Sequence, residues 1–141
     1  GGDIEGLGAS GEVLGLSAGI IGPPHPSARS AVAISVFAGA GSDGVFDAED
    51  TRLYGETLAH ETGHFLGLFH PVDFSGSSVT ATDPLDDTVS CRFVTECLAS
   101  DDLTENLMFP NPVPSGNGGY IPQNQLTAEQ RAVLNRYIAV D

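Results

Sequence analysis

A period-two pattern of apolar residues marks the first third of the chain. Val32, Ile34 and Val36 alternate with small or polar residues, which predicts a strand over residues 31–37. A second strand is predicted within residues 12–21, although several glycines interrupt its apolar positions and weaken it. Together these segments predict a small N-terminal β part.

A helical period follows between residues 50 and 66. Apolar side chains recur there at three and four positions, which predicts one helix with a buried stripe. The stripe consists of Leu53, Tyr54, Thr57, Leu58, Phe65 and Leu66. Acidic residues at 47–50 precede the helix and suit the positive end of its dipole. His60 and His64 would lie on the other side of the helix, which the stripe holds in place.

The second half of the chain has a weaker pattern. Residues 71–125 are expected to be mostly irregular, and the Pro-, Gly- and Asn-rich loop at 110–125 is long enough to indicate a functional or tethered segment. Thr127 and Gln130 then form a capping-box pattern that predicts a terminal helix. The expected buried stripe of this helix is Val133, Leu134, Tyr137 and Ile138.

The length of 141 residues suits a single domain, and the order of the elements predicts the α+β class. We expect an N-terminal subdomain over residues 1–70, which ends with the long helix. A C-terminal subdomain over residues 71–141 would be irregular and end in the second helix.

One segment of the long helix carries the strongest chemical signal. His60 and His64 are four residues apart, so both lie on one helix face and can bind a single Zn²⁺. Glu61 lies beside them, within reach of a zinc-activated water. Gly67 allows the helix to end with φ > 0, so that His70 can return as a third ligand. Three protein ligands leave a fourth position open, which is typical of a catalytic zinc.

The alternative interpretation is an amphipathic core helix whose histidines only form hydrogen bonds. Three of the four histidines fall within residues 60–70, and this alternative does not account for their clustering. The fourth, His25, is flanked by prolines and is expected in an exposed loop rather than at a metal.

The charge balance narrows the range of partners. The chain has 5 basic residues, all arginine, against 19 acidic residues, for a net charge of −14. Phosphate contacts need Lys and Arg, so binding to nucleic acid or to anionic membrane surfaces is disfavoured. No apolar run of about 18 residues occurs, so we expect no membrane insertion. We also expect the protein to be a monomer. The acidity suits solubility, with calcium binding or attraction of basic substrates as the alternatives.

The two cysteines, Cys91 and Cys97, are six residues apart. A disulfide that closes a short loop is favoured over two free thiols, and the spacing does not suit a zinc knuckle. A disulfide implies an oxidising compartment, so a secreted or extracytoplasmic protein is expected.

Two patterns together resemble the metzincin clan of zinc metallopeptidases. These are H-E-x-x-H-x-x-G-x-x-H at residues 60–70 and Asn-Leu-Met-Phe-Pro at residues 106–110. The resemblance implies a zincin-like fold in which the three motif histidines hold Zn²⁺ and Glu61 acts as general base. It also implies that Met108, the only methionine, lies in a tight turn beneath the zinc ligands.

The acidic stretch at residues 83–88, followed by the two cysteines and the Asn-Leu-Met segment, is similar to the pappalysin family within this clan. This stretch also offers hard oxygen ligands for a Ca²⁺ ion, with Thr88 and a backbone carbonyl as additional oxygens. The candidate calcium ligands are Asp83, Asp86 and Asp87. An ordinary solvated acidic turn is the alternative.

The chain departs from the clan pattern in two places. Only 59 residues precede His60 and no helix is predicted among them, whereas the clan usually has a larger N-terminal subdomain. Either the fold is pared down or an N-terminal part has been lost. Pro110 stands two positions after the methionine, where some members place a tyrosine that approaches the zinc. Tyr120 in the following loop is a weaker candidate for that role.

These residues predict a zinc-dependent endopeptidase that acts on protein or peptide substrates. Glu61 would take a proton from the attacking water and pass it to the leaving amine. The substrate would lie extended against an edge strand, at residues 32–37 or the neighbouring strand, with the loop at 110–125 as one wall of the pocket. The alternative is a non-catalytic zinc-containing relative that binds peptides or inhibits. Such proteins commonly lose the general base, and Glu61 is present here.

Overall fold

The computed structural model describes residues 15–17, 32–34 and 45–138. Within these residues the chain forms four helices and two antiparallel two-stranded sheets, so the expected α+β class is confirmed. In chain order the elements are β1 (Gly15–Ser17), β2 (Val32–Ile34), α1 (Ala48–Phe65), β3 (Val72–Ser75), β4 (Ser78–Thr82), α2 (Val94–Leu98), α3 (Asp101–Thr104) and α4 (Ala128–Ile138).

The two N-terminal strands occur where the sequence predicts them. β1 pairs with β2 in antiparallel fashion, with Leu16 opposite Ala33, and α1 packs against both strands. The remainder of each predicted strand segment lies outside the described residues, and so does His25.

Helix α1 begins two residues before the predicted start, because its first turn is capped by the acidic residues that precede it. The Asp47 carboxylate accepts the backbone N–H groups of Glu49 and Asp50, at 2.8 and 3.1 Å. In return the Asp50 carboxylate accepts the N–H of Asp47 at 2.9 Å, which completes a capping box.

The end of α1 is set by Gly67, which has φ 105°, a conformation open to glycine but strained for other residues. The N–H of Gly67 donates to the carbonyl of His64, and the N–H of Leu68 donates to the carbonyl of Gly63, both at 2.9 Å. This pair of bonds is a Schellman motif, and it turns the chain back towards the helix immediately before His70.

The buried face of α1 differs from the predicted stripe. Leu53 and Thr57 are buried as expected, but Leu58 is 44% exposed, so its place in the predicted stripe was wrong. The buried line continues instead through Glu61 and His64. The apolar stripe and the metal-facing side were predicted to be separate, whereas in the structure they share one face.

The region at 71–125 is more regular than predicted. Strands β3 and β4 form a hairpin with a register shift between Asp73 and Phe74, and the two short helices α2 and α3 follow it. Cys91 and Cys97 form the expected disulfide, and both are buried. The core of this half contains Val72, Cys91, Cys97, Leu103, Phe109 and Val113. Most of residues 71–125 lie outside helices and strands, as predicted, but the hairpin and the two short helices were not predicted.

The terminal helix α4 begins at the predicted capping box. The N–H of Gln130 donates to Thr127 Oγ1 at 3.2 Å, and the N–H of Thr127 donates to Gln130 Oε1 at 3.0 Å. Val133 and Leu134 are half-buried, and the side chains of Tyr137 and Ile138 lie outside the described part. Among the described helices, none combines the length and apolar character needed to cross a membrane.

Candidate metal centre

Three imidazoles converge on one point beside α1. His60 and His64 project from successive turns of the helix, and the turn at Gly67 brings His70 back to meet them. The Nε2 atom of His70 lies 3.1 Å from Nε2 of His60 and 3.0 Å from Nε2 of His64. All three predicted ligands therefore come together, as the sequence pattern indicates.

The outer nitrogen of each ring fixes the tautomer. Nδ1 of His60 lies 2.7 Å from the carbonyl oxygen of Leu107, and Nδ1 of His64 lies 2.7 Å from that of Leu68. Nδ1 of His70 lies 2.7 Å from Asp73 Oδ1. These oxygens can only accept, so each Nδ1 carries the proton and donates it. In the neutral rings all three Nε2 lone pairs then face one another.

This arrangement is unfavourable without a cation. Burial lowers the pKa of His60 to about 4 and also lowers the pKa of His64, so both rings are neutral near pH 7. Nε2 of His70 lies about 3 Å from Nε2 of both other rings, and neutral acceptors at this distance share no proton and repel one another. Tetrahedral ligands placed about 2.0–2.1 Å from a metal would be roughly 3.3 Å apart, close to what is observed. Among the described residues, these three histidines are placed to hold a metal ion.

Glu61 lies on the same cavity as the histidines. Its side chain is 8% exposed, and its carboxylate accepts a hydrogen bond from the backbone of Ser17 in β1. Burial raises the pKa of Glu61 to about 7, with the Ser17 hydrogen bond opposing the shift. A carboxylate with this pKa suits proton transfer near neutral pH.

Met108 lies in a tight turn beneath the helix. The N–H of Phe109 donates to the carbonyl of Asn106 at 3.0 Å, and the N–H of Met108 donates to Asn106 Oδ1 at 2.9 Å. The Met108 side chain is fully buried against Gly63, where an added Cβ would come within 2.6 Å of the Met108 sulfur. Gly63 therefore allows the turn to approach the helix between two of the ligands, and the turn presents the Leu107 carbonyl to His60.

Two groups that support the site were missed from the sequence. Asp73 orients His70. A carboxylate three residues after a predicted ligand is the sequence feature that could have indicated this role. Asn106 exchanges hydrogen bonds with Gln130, at 2.9 and 3.3 Å, which fastens the methionine turn to α4 across 24 residues of sequence. No local pattern marks a pairing of that length.

The acidic turn does not form a matching cluster of carboxylates. Asp83 is buried, and its Oδ1 accepts the N–H of Leu85 and the hydroxyl of Thr88, at 3.2 and 2.6 Å. The Asp87 carboxylate accepts the N–H of Glu129 at 2.9 Å, and Glu129 Oε2 accepts the N–H of Asp86 at 2.8 Å. The turn is thus pinned to the start of α4, and the three predicted calcium ligands are not among the groups placed to share one ion.

A cavity of about 350 Å³ opens next to the three histidines and Glu61. Residues of helix α1 line part of it, and residues 110–112 with Gln123 form another wall. Gln123 is buried and donates through Nε2 to the carbonyl of Asn111 at 2.9 Å, which holds the wall together. Tyr120 does not line this cavity, so it does not take the place of the tyrosine expected near the metal.

Asp73 provides a test of the metal centre. We expect Asp73→Ala to weaken metal affinity by about 10–100-fold, because His70 then loses the acceptor that fixes its tautomer. Asp73→Asn keeps an acceptor but loses the charge, so its loss should be smaller. Competition titration with a chromogenic chelator measures both variants. Equal affinity in the wild type and the Ala variant would contradict the role of Asp73.

The site thus combines three inward lone pairs, a buried carboxylate and an adjoining cavity. That combination suits a metal-assisted reaction in which a nearby base moves a proton. Asp73 and the two backbone carbonyls supply the outer hydrogen bonds that such sites need. A search of protein-family models, curated proteins and solved structures gave no match to this chain.

Proposed function

We propose that this chain is a zinc-dependent endopeptidase of the metzincin type that resembles the pappalysin family. The observation that carries the proposal is the convergence of three inward-facing Nε2 atoms beside the buried Glu61 on one cavity. The fully buried methionine turn beneath α1 supports the metzincin-like fold. The disulfide supports a secreted or extracytoplasmic location.

The donor set favours zinc. Three neutral imidazole nitrogens are borderline-soft ligands, which suit Zn²⁺ better than the oxygen-seeking Mg²⁺ or Ca²⁺. His60, His64 and His70 would hold the ion beside the cavity. When bound, the ion would supply Lewis-acid chemistry, polarising the scissile carbonyl and making water a stronger acid.

The protein's own residues then perform the proton transfers. Glu61 takes the proton of the attacking water and delivers it to the nitrogen of the leaving amine. Its burial favours the protonated form between these two transfers, while the Ser17 backbone holds the carboxylate in place. β1 lies beside Glu61 and contributes Gly15 to the cavity lining, so it supports an extended substrate running along this strand.

The direct experiment is a cleavage assay on the zinc-loaded chain. Casein and a quenched fluorescent peptide should be hydrolysed, cleavage should stop after removal of the metal by 1,10-phenanthroline, and added Zn²⁺ should restore it. The rival function is a peptide-binding or inhibitory zinc module. A fully zinc-loaded, folded chain that binds peptides without turnover would favour that rival.

We propose separately that the acidic turn binds calcium, and the observation that supports this is one buried carboxylate oxygen without a hydrogen-bond partner. Oδ2 of Asp83 is buried and has no hydrogen-bond partner, and burial raises the pKa of this carboxyl. A raised pKa means that Asp83 stabilises the fold when protonated, below about pH 3.8, and that this stabilisation is lost as the pH rises. A cation at Oδ2 would offset the cost of the charge at neutral pH.

The calcium proposal predicts a specific pattern of thermal melts at pH 7. After chelation, Ca²⁺ should raise the Tm of the wild type, while Asp83→Asn should show no calcium shift. Without calcium the Asn variant should melt no lower than the wild type, because it buries no charge. A wild-type Tm that calcium leaves unchanged would remove this proposal.

A further inference from the structure

A single arginine joins α1 to the loop that walls the cavity. Arg52 Nη1 donates to both carboxylate oxygens of Glu56 at 2.9 Å, and Nη2 donates to the carbonyl of Tyr120 at 3.0 Å. Glu49 lies 3.3 Å from Nη2 and accepts the backbone N–H of Tyr120 at 2.8 Å. Glu49 and Arg52 thus hold both backbone hydrogen-bonding groups of Tyr120, and we call this pair the clasp.

The clasp holds a loop that has few backbone hydrogen bonds of its own among the described residues. The loop forms a narrow turn in which the N–H of Ile121 donates to the carbonyl of Val113, and the N–H of Ser115 donates to that of Gly119. Tyr120 lies between the tip of this turn and Gln123, which belongs to the cavity wall. The clasp contacts span 68 and 71 residues of sequence, so they fix where the wall stands relative to α1.

The same guanidinium also sets the charge of the cavity. The Glu56 side chain is 13% exposed and lines the cavity one turn before His60. The wall at residues 110–112 and Gln123, which lines the same cavity, is uncharged. Because both oxygens of Glu56 are bound to Arg52, its negative charge is compensated within the protein.

We propose that Arg52 is a positioning residue that determines specificity at this cavity. The clasp holds the wall at a fixed distance from α1, and the bidentate pairing with Arg52 compensates the charge of Glu56, while Glu49, which shares the guanidinium, does not line the cavity. The cavity therefore takes an uncharged substrate side chain next to the scissile bond. This inference rests on the proposed endopeptidase function, and Arg52 acts through Glu56 and Tyr120 rather than on the reacting atoms.

Paired peptides test the specificity. Two substrates differ only in Leu or Arg at the residue after the cut, and we expect the wild type to favour Leu by about tenfold or more in kcat/KM. Arg52→Gln should raise KM for the Leu peptide by roughly tenfold with a smaller change in kcat, because the wall is no longer held. It should also shift preference towards the Arg peptide, since Glu56 is left unpaired.

A double variant separates the two effects of Arg52. Arg52→Gln with Glu56→Gln should restore the preference for Leu, because position 56 then carries no charge, but it should not restore KM. Arg131→Gln, the same change at an exposed position on α4, is the matched control and should behave as wild type. The inference would be overturned if the wild type cleaved the Arg peptide preferentially, or if Arg52→Gln left both the substrate preference and KM unchanged.

Amide hydrogen exchange at Tyr120 tests the clasp without any activity. Glu49→Ala should speed exchange of this N–H by about tenfold or more, whereas Glu49→Gln keeps an acceptor and should restore protection. If the wild type cleaves no peptide, the proposed function fails while this measurement still reports on the clasp. Unchanged exchange in Glu49→Ala would show that Tyr120 is not held by Glu49, which overturns the clasp itself.

Discussion

Replacing Glu61 with glutamine is expected to lower kcat/KM for peptide hydrolysis by about 10²–10⁴-fold while the protein keeps its metal. Glutamine has the shape of glutamate and still offers an oxygen to the Ser17 backbone, but it cannot take a proton from water. The three histidines keep their outer hydrogen bonds to Leu107, Leu68 and Asp73, so the metal site should be intact. Steady-state cleavage of a fluorescent peptide, with metal content from atomic absorption, measures both quantities.

The matched control is Glu105→Gln, which changes an exposed glutamate at the end of α3. It should retain wild-type activity and wild-type metal content. Undiminished cleavage by the Glu61→Gln variant would contradict the assignment of this residue as the general base. Loss of metal together with activity would instead show that Glu61 supports the site structurally.

Much of the candidate site could be predicted because its determinants are local. A spacing of four residues places His60 and His64 on one helix face in any α-helix. Gly67 follows the helix at the position where a residue with positive φ is needed, and the resulting Schellman turn returns His70 to the other two rings. These steps depend on residues within one segment, so the pattern alone specifies the geometry.

Several of the supporting contacts could not be predicted because they join residues that are distant in the sequence. The Leu107 carbonyl reaches His60 across 47 residues, and Asn106 reaches Gln130 across 24. Asp87 and Glu129 fasten the acidic turn to α4 over a similar separation. Leu107 contributes only its backbone carbonyl, and the partners of Asn106 and Asp87 become evident only once the chain is folded.

The secondary structure shows the same division. The capping box of Thr127 with Gln130 could be read directly and gave the start of α4. Asp47 and Asp50 were predicted only as acidic residues near the helix dipole, and their capping box starts α1 two residues before the predicted position. The hairpin of β3 and β4 was missed because its strands have only 4 and 5 residues, so the apolar residues Phe74 and Val79 do not recur often enough to show a period of two. Helices α2 and α3 have only 5 and 4 residues, and the first of them contains Cys97 of the disulfide, so packing rather than periodicity accounts for them.

Replacing His70 with alanine is expected to change stability in opposite directions with and without metal. In the wild type, free Zn²⁺ at 1,000 times Kd stabilises the fold by about 4 kcal/mol, and a 100-fold weaker site would give only about 1.4 kcal/mol. Without metal, the variant removes the ring whose Nε2 lies within 3.1 Å of both other lone pairs. The metal-free variant should therefore be as stable as the metal-free wild type, or more so.

Urea unfolding with excess Zn²⁺ and with EDTA measures this crossover. Phe69→Ala is the matched control, because it removes a ring from the preceding residue, whose side chain is 49% exposed and is not a ligand. The control should keep the full zinc-dependent gain in the free energy of unfolding. If His70→Ala instead lost the same stability in zinc and in EDTA, the three histidines would be hydrogen-bonded core residues. The convergence of their lone pairs would then have no role in binding metal.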